Sequence, residues 1–270
     1  MISALSLPFE LMTDSCQQIL SVDEFIRRIC DDFQAWNTST DPWFRGEPDC
    51  DTPLLPKLYR PRPDGTLHNE NQQLQFFRMK APNLAGGVVP PRSEHTDQWL
   101  FLAQHVGLPT RLLDWSEGSL VALYFALLEA KPIVWMLHPI EQNRLSLPSN
   151  VTLGDNEFPL TWVRQDKPIN IGNENFRGAW EQDSRGVELP VAIHPTDIHP
   201  RMSVQRSCFT IHGKKKQCMN NLVPPNILKR YKIDPNERQG MLRELRMLGI
   251  SHATMFPDLD GLAKDLVQRF

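Results

Sequence analysis

One helix that is apolar on every side constrains the fold of this chain more than any other feature. The longest uninterrupted apolar run is Leu120 to Leu128, within a nearly all-apolar segment from Glu117 to Ala130. Because such a helix has no polar face to turn toward water, other elements must surround it. Ser116 stands just before it, and we predict that this residue caps the helix. The chain therefore needs strands and further helices packed around a central helix.

Short segments on both sides of this helix, some apolar and some alternating between apolar and polar residues, predict the strands. Each is bounded by glycine, proline or a polar cluster, as strands usually are. The segments are Trp43 to Glu47, Arg111 to Trp115 as a buried strand or turn, Ile133 to Leu137, Val191 to Ile193, and Met202 to His212. Between Pro139 and Gln182 no clear period is visible, so we expect loops around short strands there.

Amphipathic segments predict the surrounding helices. The first runs from Ser21 to Trp36, where Ser21 and Glu24 have the spacing of a capping box. Four more show helical spacing: Asn69 to Lys80, Trp99 to His105, Gly240 to Leu248, and Leu259 to Val267. With no internal repeat and no low-complexity linker, we predict one α+β domain over residues 21–270 after an extension at 1–20. We expect this domain to contain a central, mainly antiparallel sheet flanked by helices.

Charge and apolar-run lengths exclude several classes of protein. The chain has 270 residues with 29 basic and 32 acidic side chains, so no overall field holds it on nucleic acid or an anionic membrane. The longest apolar run is far below the roughly 20 residues of a membrane span. The N-terminus lacks the pattern of a signal peptide, and we expect a cytoplasmic protein.

The cysteines do not suggest a metal site. There are five, an odd number, without the paired short spacing of zinc or redox motifs. We expect reduced cysteines that act as packing residues.

Arg45 is a candidate binding residue. It lies between an apolar pair and Gly46, at the end of a predicted strand where glycine permits close approach of a ligand or of another backbone. A planar guanidinium suits phosphate or carboxylate. The alternative is an internal salt bridge to one of three acids, Glu47, Asp49 or Asp114.

The segment from Gln104 to Trp115 concentrates polar side chains in a loop braced by glycine and proline. A neutral His105 there suits acid–base work or the orientation of a substrate hydroxyl. Such a polar loop costs stability unless its groups are satisfied. The alternative is a helix-terminal histidine beside a structural bridge between Arg111 and Asp114.

Two further clusters allow a functional or a structural interpretation. His194 and His199, with Asp197, suggest a metal site, although the proline after each histidine favours extended backbone. Lys214 to Lys216, followed by Lys229, Arg230 and Lys232, form a local basic edge. That edge is either a solvated turn or a nucleic-acid contact.

Four ordered motifs closely resemble the FRG domain, a family named for its Phe/Tyr-Arg-Gly motif. They are Trp43 to Glu47, His105 to Trp115, His199 to Thr210, and Leu248 to Ile250 followed by Phe256 to Gly261. Together they span roughly residues 20 to 268. The biochemistry of the family is poorly defined, so the resemblance supplies no reaction by itself.

A more remote similarity extends to ADP-ribosyltransferase folds. Arg45-Gly46, the Asp114 to Ser116 element leading into Ala122 to Ala126, and Gln205 before Phe209 follow the order of that family's motifs. The family usually has a glutamate where this chain has Gln205, and a neutral amide cannot supply its charge. Glu47 or Asp114 is positioned in sequence to compensate.

This similarity implies roles for individual residues. Arg45 would hold a pyrophosphate or ribose, Ser116 would line a nicotinamide pocket, and the His105 to Trp115 loop would form the opposite wall. The implied catalytic residues are Arg45, His105, Ser116 and Gln205. The implied NAD-binding residues are Phe44, Arg45, Gly46, Arg111, Asp114 and Trp115, and no metal is implied.

Three functions follow as hypotheses. The first is an ADP-ribosyltransferase-like enzyme that uses NAD on a macromolecular target, as a toxin or anti-phage effector. The second is a non-catalytic module that binds a nucleotide, a nucleic acid or a protein. The third is a hydrolase that uses His105 and Asp114.

Overall fold

A single sheet organises the protein. The computed structural model describes residues 18–84, 90–91, 96–147, 160–161, 187–195 and 200–270. Within these residues the sheet has seven strands in the order β4-β5-β6-β2-β1-β3-β7. β4 pairs with β5 in parallel, and all other pairs are antiparallel. The strands are β1 (Trp43–Glu47), β2 (Leu112–Ser116), β3 (Ile133–Leu137), β4 (Leu160–Thr161), β5 (Val191–His194), β6 (Ser207–Ile211) and β7 (Leu228–Lys232).

Ten α-helices in the described residues surround the sheet. They are α1 (Val22–Trp36), α2 (Glu70–Lys80), α3 (Thr96–His105), α4 (Ser119–Ala126), α5 (Pro139–Ser146), α6 (Pro200–Val204), α7 (Met219–Leu222), α8 (Arg238–Met247), α9 (His252–Met255) and α10 (Leu259–Arg269). The predicted α+β fold with a mainly antiparallel sheet is confirmed. None of the described helices is long and apolar enough to cross a bilayer.

Alternating side chains divide β1 between two cores, as a strand with both faces covered requires. Phe44 joins the core that contains α1, α4 and α8, whereas Trp43 joins the core on the other face with Trp115 and Trp135. The central apolar helix predicted from the sequence is α4. All of its buried residues belong to the first core. The sheet thus carries packed layers on both faces.

Gly46 sets the distance between α4 and β1. A Cβ atom at Gly46 would lie 1.9 Å from the Ala122 carbonyl oxygen and 2.6 Å from the Ala126 nitrogen. Because both are backbone atoms of α4, no side-chain movement relieves the clash. The glycine therefore serves close approach of another backbone.

Three predicted elements differ in the structure. Ser116 does not cap α4: Gly118 is the N-cap residue, and the Ser116 hydroxyl accepts from the Gly118 N–H at 2.9 Å. The predicted strand from Met202 to His212 begins only at Ser207, because α6 ends at Val204 and Arg206 turns the chain at a φ of 49°. The predicted loops after Pro139 include helix α5, and most of the remainder lies outside the described residues.

The cysteine prediction holds only in part. Cys208 is buried in the second core, and all four described cysteines are free. Cys30 and Cys50 are exposed, so they are not packing residues as predicted. Cys16 lies outside the described residues.

Candidate functional site

A fork between β1 and β2 creates the site. β1 pairs with β3 along all five of its residues, but it meets β2 only at Phe44 and Ser116. Beyond that point the two strands separate, and the Arg45 side chain fills the gap. Its Nη1 donates to the Asp114 carbonyl oxygen at 2.7 Å. This hydrogen bond takes the place of a backbone hydrogen bond between β1 and β2.

A cavity of about 370 Å³ opens at this fork. Its floor is formed by β1 and β2, and α4, α6 and the end of α3 form its walls. Five aromatic residues line it, so it combines apolar walls with a polar floor: Phe44, Trp115, Phe125, Phe209 and Phe256. This size and composition are typical of a small-molecule site.

The polar floor contains one arginine and two carboxylates. Arg45 Nε donates to Glu47 at 2.7 Å, and Arg45 Nη1 lies 3.6 Å from Asp114 Oδ2. The side chains of Arg45 and Glu47 are 15% and 6% exposed, whereas that of Asp114 is 55% exposed. Because Asp114 lines the cavity, its accessible surface faces that space. Asp114 is therefore the carboxylate that a ligand would meet.

Burial and charge act in opposite directions on this cluster. Although the Asp114 side chain is accessible from the cavity, desolvation by the surrounding protein raises its pKa, and this effect outweighs the opposing effect of the Arg45 guanidinium. For Arg45, desolvation alone would lower the pKa, but the Glu47 and Asp114 carboxylates raise it overall. The guanidinium therefore stays charged between two acids, as the internal-bridge interpretation predicted.

A short hydrogen-bond chain fixes the Asp114 carboxylate. Gln104 Nε2 donates to Asp114 Oδ2 at 2.7 Å, and the Thr110 hydroxyl donates to Gln104 Oε1. The Thr110 oxygen in turn accepts from the Leu112 N–H at 3.2 Å. The segment from Gln104 to Asp114 thus orients its own acid, a role that the sequence analysis did not assign to Gln104 or Thr110.

The end of α3 positions this chain. Gly107 has a φ of 88°, and its N–H bonds to Gln104 O while the Leu108 N–H bonds to Ala103 O. This pattern is a Schellman motif, which ends a helix through a left-handed residue and favours glycine there. It keeps Gln104 and the half-buried His105 on the cavity wall.

A family model for the FRG domain matches residues 40–132. The chain contains an FRG domain. The match covers about a third of the chain and includes Arg45-Gly46, the Gln104 to Trp115 segment and α4. Searches of the curated proteins and of the solved structures find no significant match.

Eight of the nine residues proposed from sequence line the fork cavity. They are Phe44, Arg45, Gly46, His105, Asp114, Trp115, Ser116 and Gln205. Trp115 contributes strand β2, but its indole N–H donates to Thr210 Oγ1 at 3.0 Å and its ring packs in the second core. The sequence motifs therefore converge on one place.

Arg111 is the residue that the structure places elsewhere. Its Nε donates to Glu70 Oε2 at 2.7 Å, its backbone N–H donates to Glu70 Oε1 at 3.0 Å, and it is buried. A structural bridge between Arg111 and Asp114 was the predicted alternative. This prediction is wrong, because Arg111 pairs with Glu70 instead. Arg111 fastens α2 to the start of β2.

Ser116 and Gln205 are engaged in structural hydrogen bonds. The Ser116 hydroxyl donates to Gln205 O at 2.7 Å and accepts from the Gly118 N–H. Gln205 Nε2 donates to Met255 O at 3.0 Å. Gln205 follows α6 and does not lie on a strand. Both side chains line the cavity while holding its walls together.

The rim of the cavity includes side chains that the sequence analysis missed. Arg201 pairs with Asp258, and its guanidinium carbon lies 5.3 Å from the centre of the Phe256 ring. Phe256 and Asp258 belong to the fourth motif of the resemblance, which was quoted without a site role. Arg201 directly precedes the segment from Met202 to His212 that was predicted as a strand, so helix α6 and the place of Arg201 on it were not recognised.

The two remaining clusters have structural contacts. The His194 ring lies 5.1 Å from that of Trp43, and His194 Nε2 lies 3.9 Å from Glu117; His199 is outside the described residues. Lys229 pairs with Asp32 at 3.1 Å and Lys214 with Glu188 at 3.7 Å. These pairs support the interpretation of the basic edge as a solvated surface.

Proposed function

We propose that the FRG domain binds NAD in the fork cavity and acts as an ADP-ribosyltransferase-like enzyme on a macromolecular acceptor. The observation that carries this proposal is the accessible Asp114 carboxylate on the polar floor of a cavity that also has aromatic walls. Any role as a toxin or anti-phage effector depends on this activity.

The charge of the floor favours a cationic group. Arg45 contributes one positive charge, and Glu47 and Asp114 contribute two negative charges when Asp114 is ionised. The floor then has a net charge of about −1. Arg45 Nε and Nη1 are already bonded within the protein. A phosphate is therefore a poor ligand for this floor, and we assign Arg45 to positioning Asp114 instead of binding pyrophosphate.

The nicotinamide end of NAD fits this arrangement. Its ring is flat and positively charged, and aromatic side chains favour such a group through stacking and cation–π attraction. Phe125 and Phe256 line the cavity with ring centroids 6.0 Å apart, and their rings stand at 85° to each other. The cavity volume of about 370 Å³ suits one nucleoside, not the whole dinucleotide.

Asp114 supplies what Gln205 lacks. When bound, NAD supplies a nicotinamide leaving group that departs with the electron pair of its bond to ribose, so that positive charge develops on the ribose carbon. A carboxylate that is already fixed beside the ribose carbon stabilises such charge. Gln104 and Arg45 hold Asp114 in one orientation, so little reorganisation is needed during the reaction.

A proton must also leave the acceptor nucleophile. His105 lies on the same wall as Gln104, and its imidazole is the kind of group that accepts a proton in catalysis. We assign it this role. The engaged Ser116 and Gln205 are positioning residues for the wall between α6 and α9.

The test measures NAD binding and nicotinamide release with purified protein. In Asp114→Asn, the amide keeps the size of the side chain and removes its charge. We expect release of nicotinamide to fall by about 10² to 10³, the usual effect of losing one stabilising group. Asp64→Asn is the matched control, since it removes the same charge from an exposed loop.

The outcomes separate the hypotheses. Binding with release that depends on Asp114 supports the enzyme. Binding without release supports a nucleotide-binding module, which the engaged hydroxyl of Ser116 and amide of Gln205 favour. Equal loss in both variants, or no binding by folded protein, would refute the proposed function.

A further inference from the structure

A second cavity lies beyond the C-terminal end of α4, between α8 and the last turn of α10. Its volume is about 610 Å³. Four arginines line it, and no aspartate or glutamate is among its lining residues. The arginines are Arg238, Arg243, Arg246 and Arg269.

Three of these arginines share one face of α8. Arg238, Leu242 and Arg246 are spaced by four residues, and Arg243 follows Leu242 on the neighbouring row. Helical spacing therefore concentrates their charge on one side. The spacing of these arginines is visible in the sequence, but the helix predicted there began only at Gly240.

The charges of the four arginines are not neutralised by ion pairs within the described residues. Arg238 donates to the carbonyl oxygens of Leu127 at 2.5 Å and Leu128 at 3.2 Å, and Arg243 donates to Gln239 O at 3.3 Å. These partners are neutral. Asp265, whose charge acts on the same region, is buried and accepts from the Ala253 N–H at 3.4 Å.

Neutral hydrogen-bonding groups complete the cavity wall. The Tyr124 hydroxyl lies 3.0 Å from His252 Nδ1, and both residues line the cavity with Ser251, Gln239 and Gln268. Leu242 and Ile250 supply apolar surface. Positive charge, neutral donors and apolar surface together are typical of a site for a phosphorylated small molecule.

We propose that this cavity binds a compact polyphosphate, such as the polyphosphate group of a nucleotide. Guanidinium groups donate pairs of hydrogen bonds in a fixed plane, which suits adjacent phosphates. The site is separate from the fork cavity and does not depend on NAD binding there.

The surrounding surface argues against an extended nucleic acid. A nucleic-acid groove needs a basic stripe that follows the backbone. Outside this cavity, α10 presents Leu259 at 83% and Val267 at 82% exposure, and Met247 at the end of α8 is 81% exposed. The four arginines are thus flanked by exposed apolar side chains, which favours a compact ligand over an extended one.

Helix α4 connects the two cavities. Leu128 lines both, Tyr124 lines the second cavity, and Phe125 lines the first. Arg238 meanwhile binds carbonyls just past the end of α4. A ligand in the second cavity would thus contact the helix that forms one wall of the first.

The test is calorimetric titration of inorganic tripolyphosphate into the whole protein at pH 7 and low salt. We expect binding that weakens at least tenfold in Arg243→Gln/Arg246→Gln. Both arginines are exposed, and glutamine has a similar helix propensity, so thermal melting should show an intact fold.

Lys57→Gln/Lys80→Gln is the matched control, because it removes two exposed charges that do not line the cavity. We expect it to bind within twofold of the original chain. Absence of binding, or equal weakening in both double variants, would overturn the proposal. Tighter binding of a single-stranded oligonucleotide that depends on Arg243 and Arg246 would overturn it in favour of a nucleic-acid surface.

Discussion

Replacing Gly46 with alanine tests whether the glycine of the FRG motif serves helix packing. The added Cβ would lie 1.9 Å from Ala122 O and 2.6 Å from Ala126 N, where about 3 Å is the closest that real contacts reach. The backbone of α4 must therefore move by roughly 1 Å relative to β1, since no rotamer change relieves the clash.

This displacement sets the expected cost. Overpacking of a well-packed core typically costs about 1–3 kcal/mol, and the upper end applies where backbone meets backbone. For a chain of this size about 3 kcal/mol corresponds to a melting temperature lower by roughly 6–12 °C. The same movement would widen the fork cavity, because Gly46 and Ala122 both line it.

Gly240→Ala is the matched control. Gly240 lies within α8, and an added Cβ there would meet nothing within 4 Å. Alanine in a helix interior is about 0.5–1 kcal/mol more favourable than glycine, so this variant should melt higher. Both variants are measured by urea unfolding and thermal melting. If Gly46→Ala were as stable as the original chain, the packing explanation of the motif glycine would be refuted.

Two further predictions concern buried polar groups. Burial lowers the pKa of His212 to about 3, so stability should fall by about 1.36 kcal/mol per pH unit below 6.5, where only the unfolded side chain binds a proton. Urea unfolding should show about 2 kcal/mol lost between pH 6.5 and pH 5, and a His212→Leu variant with the same slope would contradict this. Glu70→Gln should cost about 3 kcal/mol, because it leaves the Arg111 guanidinium buried without its charge partner. Glu70→Leu/Arg111→Met should recover part of this loss in the same assay, and additive losses would contradict it.

Much of the fold was predictable because local patterns and tertiary packing agree. Ser21 predicted the start of α1, and its hydroxyl does accept from the Glu24 N–H. The strand bounds of β1 and β3 were predicted fully, because β3 is an apolar run and β1 lies between two prolines, Pro42 and Pro48. The uniform apolarity of α4 predicted its burial without any information about its partners.

The errors arose where a residue beyond the local pattern decides the structure. Met202 to Val204 alternate with polar residues as a strand does, yet Pro200 starts a helix there and Arg206 ends the segment at a positive φ. The alternation alone could not show this. Ser116 has the right position for a cap, but its hydroxyl is needed between Gly118 and Gln205.

The candidate site, like the fold, was predicted only in part. Its residues were recognised from motifs, and Glu47 and Asp114 were among the predicted partners of Arg45, but the partner of Arg111 was not predicted. The fold assigns Arg111 to Glu70, which lies 41 residues earlier, and places Arg45 between Glu47 and Asp114. The role of Asp114 as the accessible acid follows from exposure, which no sequence pattern reports.

The most direct test of the account is nicotinamide release from NAD, measured by mass analysis in the sample used for calorimetric NAD binding. The account predicts binding, release, and a loss of release of about 10² to 10³ in Asp114→Asn with binding retained. Because burial raises the pKa of Asp114, release should also fall on acidification at a pH above the ordinary aspartate value of 3.8. Release that survives in Asp114→Asn would contradict the account.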